Sequence, residues 1–126
     1  MATKRGWRTL LALAFMTLVA SMSSVHAQEV PIVTGDQWTT SSNDLKKAYL
    51  VGIANLLQVE VAYFGSNPPN DNQSFVPRLA RGLRGETLDS VRDKIDRWYA
   101  SNPTRLSRPV LDLIWFEIVV PGLNKP

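Results

Sequence analysis

The stretch from Asp44 to Phe64, DLKKAYLVGIANLLQVEVAYF, is the feature that most restricts how this chain can fold. Read at about 100° per residue, it places Asp44, Lys47, Asn55 and Gln58 on one narrow face, with Val51 and Ala62 between them. The rest of the circumference carries Leu45, Tyr49, Leu50, Ile53, Leu56, Leu57, Val61, Tyr63 and Phe64. So narrow a polar stripe predicts a central helix, covered on most sides by other elements. Ser41, Ser42 and Asn43 offer side-chain oxygens to cap its first turn, and Asp44 sets negative charge at the positive end of the helix dipole. Gly65 is the expected stop. The alternation and β-branching from Gln58 to Tyr63 leave a strand open there. Gly52 costs roughly 1 kcal/mol relative to alanine inside a helix, which predicts the close approach of another backbone.

The N-terminus has a different character. Lys4, Arg5 and Arg8 precede an apolar run from Leu10 to Ala20, and Val25-His26-Ala27 supplies small residues of the kind a signal peptidase cuts after. Residues 1–27 are therefore expected to be a secretory signal peptide, too short in its apolar run to span a bilayer. Its removal changes the charge argument. Of 14 basic and 11 acidic residues, the three basic ones named here leave and no acidic one does, so residues 28–126 are balanced. The basic pI belongs to the leader and gives no support to nucleic-acid binding. The only histidine and all three methionines leave as well, and the chain has no cysteine. Residues 28–126 cannot build a Ser-His-Asp or Cys-His nucleophile, a disulfide, or the usual zinc, copper and haem sites. Carboxylate chemistry, Ser-Lys chemistry and non-catalytic binding are left.

Gln28 to Trp38 reads as extended, with Pro31 against helix, a turn at Gly35-Asp36, and Trp38 docking just before the long helix. Ser66 to Ser74, SNPPNDNQS, is a loop, and its Asn70 and Asp71 are candidate contact residues. Phe75 to Arg84 predicts a short helix with Pro77 in its first turn. Thr87 caps a clear helix to Ser101 with Leu88, Val91, Ile95 and Trp98 in one stripe, an Asp93–Arg97 pair, and Asn102-Pro103 as its end. Pro109 to Val120 reads as a last helix stopped by Pro121-Gly122, with a buried strand as the rival. Together these segments predict a mainly α, compact single-domain bundle of three to four helices around a central helix, with an extended N-terminal segment, over residues 28–126.

Two carboxylates fall on apolar faces. Glu60 lies among Tyr49, Ile53 and Leu56, and Glu117 among Val110, Leu113, Ile114 and Val120. A buried carboxylate needs a partner or a proton. As a pair they would suit acid–base hydrolysis if about 5 to 9 Å apart. As two ligands they make a poor cation site. The cheapest reading gives each an arginine from Arg78, Arg81 and Arg84, whose spacing by three suggests a shared face. Those arginines are also the candidate site for an anionic or acidic partner.

The pattern Gly35-x-x-Trp38, Lys47-x-Tyr49-Leu50-x-Gly52, Leu83-x-Gly85-x-Thr87, Asp96-x-Trp98-Tyr99-x-x-Asn102-Pro103 and Pro109-Val110 resembles small exported bacterial helical proteins. More distantly it is similar to the Rap1a/Tai family of periplasmic immunity proteins, which neutralise type VI secretion effectors and commonly carry disulfide cysteines. The resemblance implies a compact helical fold, open to dimerisation, that works by protein contact without catalysis. The leading expectation is thus a periplasmic or secreted, immunity- or inhibitor-like protein with a protein partner. No cofactor, metal, nucleic acid or stable membrane insertion after signal cleavage is expected, and a homodimer is open. The alternatives are a small hydrolase or lyase using Glu60 and Glu117, and a carrier of a small apolar ligand lined by Trp98, Tyr99, Trp115 and Phe116.

Overall fold

Thr34 and Pro109 bring two distant parts of the chain side by side. In the computed structural model, which describes residues 30–125, they form an isolated antiparallel bridge. The Val110 amide donates to the Val33 carbonyl (2.9 Å) and the Gly35 amide to the Arg108 carbonyl (3.2 Å). Around this tie run α1 (Gly35–Thr40), α2 (Asn43–Phe64), α3 (Val76–Gly82) and α4 (Leu88–Ser101), then a 3-10 turn (Pro103–Arg105). The last helix, α5, is Val110–Leu113, a π-helical stretch Ile114–Val119, and Val120–Leu123. Pro31–Pro126 forms one compact, mainly helical unit, with no strand beyond the single bridge among the described residues. The expected signal peptide lies outside the described residues.

Local signals explain most boundaries. The Ser42 hydroxyl accepts from the Leu45 amide, and α2 runs unbroken through Gln58–Tyr63 until Gly65, at φ 55°, caps it. Helix wins over strand there because the caps at both ends act on one continuous segment. Thr87 Oγ1 accepts from the Ser90 amide at 3.0 Å and starts α4; α4 ends at Ser101, with Asn102 as its C-cap. Residues 30–33 form no regular element and Thr34 is extended, as expected. The turn expected at Gly35-Asp36 is instead the start of α1, because the Gln37 side chain accepts from the Thr34 amide (3.0 Å) and closes the first turn.

The centre of the core is not α2. Trp38, Ile95, Tyr99, Val110, Leu113, Ile114 and Val119 are its fully buried large side chains, and they belong to α1, α4 and α5. On α2 only Lys46 and Leu50 are buried. At 22 residues α2 is about 33 Å long, whereas α4 at 14 residues reaches about 21 Å. The second half of α2 therefore outruns the helix beside it. Leu56, Val61 and Tyr63, expected to be covered, are exposed, Tyr63 at 82%, and so is Val59.

Two glycines show where backbones do meet. A Cβ on Gly82 would strike the Val119 carbonyl, and one on Gly122 would strike the Gly82 carbonyl. These contacts seat α3 on the end of α5, which continues past Pro121 to Leu123 and not only to the stop expected there. At Gly52 the expected close approach is absent among the described residues: a Cβ there would have nothing of them within 4 Å.

Candidate binding groove and cationic notch

The π-helical stretch decides where Glu117 points. An α-helix that buries Val110, Leu113 and Ile114 would bring position 117 back to the same face. The wider π turn advances the register by one residue, so Ile118 and Val119 are buried in its place. Glu117 is exposed and accepts from Arg108 Nη1 at 2.7 Å. Arg108 Nε donates to Asp112 at 2.8 Å, and its guanidinium lies 4.8 Å from the centre of the Trp98 ring. The arginine for Glu117 is therefore Arg108 rather than one of Arg78, Arg81 and Arg84. Its spacing of four from Asp112 was the available signal.

Glu60 is elsewhere. It is half-buried, and its Oε1 accepts from the Ser74 hydroxyl at 2.9 Å. The arginine partner expected for it is absent among the described residues, because Ser74, at the end of the loop, reaches it first. Glu60 lines a groove between α2 and α3, while Glu117 lines a shallow depression with Lys94, Arg97 and Trp98. The two carboxylates do not meet in one cleft, so the acid–base pairing expected of them has no geometric basis. The ring set expected for an apolar carrier is likewise dispersed. Tyr99 is in the core and donates to the Arg108 carbonyl (2.8 Å), Trp115 packs edge-on against Phe75, and Phe116 is exposed.

The groove has a volume of about 310 Å³. Val61 and Phe64 form one wall, Pro68 and Pro69 of the loop close one end, and Val76, Pro77 and Ala80 of α3 form the other wall. Glu60 stands on the α2 side and Arg81 and Arg84 on the α3 side. The same two arginines, with Gly122, Leu123 and Lys125, line an adjoining polar notch of about 390 Å³. Of the residues singled out in the sequence, Glu60, Arg81 and Arg84 line the groove; the proline and aromatic walls and Lys125 were not among them. Pro68-Pro69, three residues past the Gly65 cap of α2, was the signal that the loop would fold back along the helix end.

The other predicted contact residues are engaged within the fold. Asp71 accepts two bonds from Arg81 Nη2, at 2.8 and 3.0 Å, which clamps the loop to α3. Asn70 holds the loop turn: its carbonyl accepts from the Gln73 and Ser74 amides and its amide donates to Gln73 Oε1. Arg78 does not share a face with Arg81 and Arg84. Steps of three rotate by 60° each time, and α3 ends at Gly82, before Arg84. Arg78 instead lies over Trp115, 5.2 Å from the ring centre, with its Nε buried and without an acceptor. Arg84 is exposed and makes no ion pair among the described residues.

A second cluster is structural. Asp96 Oδ1 accepts from Trp38 Nε1 (2.7 Å) and Lys46 Nζ (2.9 Å), and Lys46 lies 5.6 Å from the Trp38 ring centre. Tyr49 meets Trp38 edge-on, Gly35 lies against the Tyr99 ring, and the Asn102 amide donates to the Trp98 carbonyl. Burial pushes the Tyr99 hydroxyl up to about 12 and raises Tyr49 as well. On α4 the expected Asp93–Arg97 pair gives way to Arg92, which reaches both Asp89 and Asp93 at 2.9 Å. Glu86 is held below the usual carboxylate range by hydrogen bonds from Lys94 and Ser90. Among the described residues, no helix is long and apolar enough to cross a membrane. The chain matches no family model, no characterised protein and no solved structure.

Proposed function

We propose that this is an exported protein, periplasmic or secreted, that binds a protein partner without catalysing a reaction, as the resemblance to the Rap1a/Tai immunity proteins implies. One observation carries the reading. The second half of α2 exposes Leu56, Val59, Val61 and Tyr63 along one helix, beside the groove that holds Arg81 and Arg84. Scattered apolar side chains are normal on a surface, but a run of them beside charged groups is typical of a contact site. The residues of the shared pattern support the reading indirectly. Gly35, Trp38, Tyr49, Asp96, Tyr99 and Asn102 are engaged in the fold, which leaves the exposed flank of α2 for the partner.

Affinity capture tests this. The protein, tagged after Pro126 and recovered after export, is expected to hold a stoichiometric partner that survives moderate salt. The double substitution Val59→Asp, Tyr63→Asp is expected to abolish capture and leave the melting temperature unchanged. Recovery of the protein alone, or capture indifferent to the double substitution, would overturn the reading.

A further inference from the structure

We propose that the groove between α2 and α3 receives an extended peptide segment of the partner, with apolar side chains between its walls and a carboxylate on Arg84. The inference rests on the protein-interaction reading and names the chemistry of the segment. Charge complementarity commits the site to a peptide. Arg84 is exposed, has no anionic partner among the described residues, and lies at the junction of the apolar groove and the cationic notch. Its neighbours are partly balanced: Arg81 is held by Asp71, and Lys125 stands 3.8 Å from Glu86. Arg84 is thus the cation left for a ligand, and its planar fork matches a carboxylate.

The opposite wall favours a peptide over a simple amphiphile. Glu60 uses Oε1 to accept from Ser74, while its Oε2 accepts no hydrogen bond among the described residues. A peptide lying along the groove brings backbone N–H groups to that oxygen and a carboxylate to Arg84. A fatty acid satisfies Arg84 but sets methylene groups against Glu60, which costs the carboxylate its water with no donor in return. The groove volume of about 310 Å³ is that of a small ligand site, open enough for an extended chain to enter and leave.

The test begins with a displayed library of random dodecapeptides, selected on the purified exported protein. The best binder is then synthesised, together with a version whose acidic residues are replaced by their amides, and affinities are measured by fluorescence polarisation with dodecanoate as competitor. Selected sequences are expected to share an acidic residue beside an apolar pair. The amide version is expected to bind at least tenfold more weakly, and so is the Arg84→Glu protein. Glu60→Gln is expected to weaken binding several-fold. Arg84→Glu should melt at the wild-type temperature, because the exposed side chain makes no hydrogen bond or ion pair among the described residues. An empty selection, binders without a carboxylate, or Arg84→Glu binding within twofold of wild type would overturn the proposal. Displacement of the peptide by dodecanoate at equal affinity would also overturn it and assign the groove to amphiphiles. If the peptide site fails while capture remains sensitive to Val59→Asp, Tyr63→Asp, the interaction reading stands and the partner docks on α2 alone.

Discussion

The two halves of α2 have opposite surroundings. The first half buries Lys46 and Leu50 and delivers the lysine to Asp96, where it meets the Trp38 indole. The second half carries as much apolar surface and, Leu57 apart, leaves most of it in water, with Val59 at 67% exposure. One helix thus has two environments, and apolar periodicity does not distinguish them. What separates them is the length of the neighbour, since α4 stops short of the second half.

The largest expected effect is in the buried half. Trp38→Ala removes a side chain that is 1% exposed and strips Asp96 of a donor, so it should destabilise the fold by about 4 kcal/mol. Urea unfolding would show this as a large fall in midpoint. Asp96→Ala comes next. It leaves the Lys46 ammonium, whose side chain is 10% exposed, without its anion. Because the Asp96 side chain is itself 34% exposed, water relieves part of the cost, and a loss of about 2 kcal/mol is expected. A loss below ~0.5 kcal/mol in the same assay would mean that the lysine is solvated and the cluster is not a structural tie.

The Tyr99 hydroxyl gives the buried side a pH signature. Its folded value is raised to about 12, above the ordinary tyrosine value of about 10, so folding favours the protonated form. That contribution is complete below pH ~10 and is lost as pH rises through about 12. Circular dichroism melts across this window should show a falling Tm, and Tyr99→Phe should flatten the fall while lowering stability at neutral pH through the lost bond to the Arg108 carbonyl. An equal slope in both proteins would remove Tyr99 as the cause.

Effects of opposite sign or near zero are expected on the open side. Gly52→Ala should stabilise the protein by about 0.5 to 1 kcal/mol, since the added methyl meets nothing and the helix loses a glycine. Destabilisation would mean that a backbone does lie against Gly52 in solution, as sequence alone suggested. Tyr63→Ser, at the exposed end, should change stability by no more than ~0.5 kcal/mol.

The same contrast explains what could be read from sequence. Helix starts and stops were legible at Ser42, Gly65, Thr87 and Asn102-Pro103, because capping is chemistry between residues a few positions apart. The loop and the short proline-led α3 were legible for the same reason. Glu60, Arg81 and Arg84 were singled out from the sequence, but the pairing of Arg81 with Asp71 and the prolines and Phe64 beside them were not. What failed needed tertiary information. Glu117 is assigned to the apolar face by a regular period that the π-helical stretch breaks. Arg78 is grouped with Arg81 and Arg84 by spacing, although Trp115 draws it away. The open flank of α2 was invisible because hydrophobic patterning reports what a residue is, not whether a neighbour reaches it.

Native-state amide hydrogen exchange tests the division of α2 most directly. Amides of α4, of α5 and of α2 around Lys46 to Leu50 are expected to exchange only through global unfolding, and those from Gln58 to Phe64 through local opening at much lower free energy. Equal protection along the whole of α2 in the isolated protein would contradict this, because it would mean that the second half is covered.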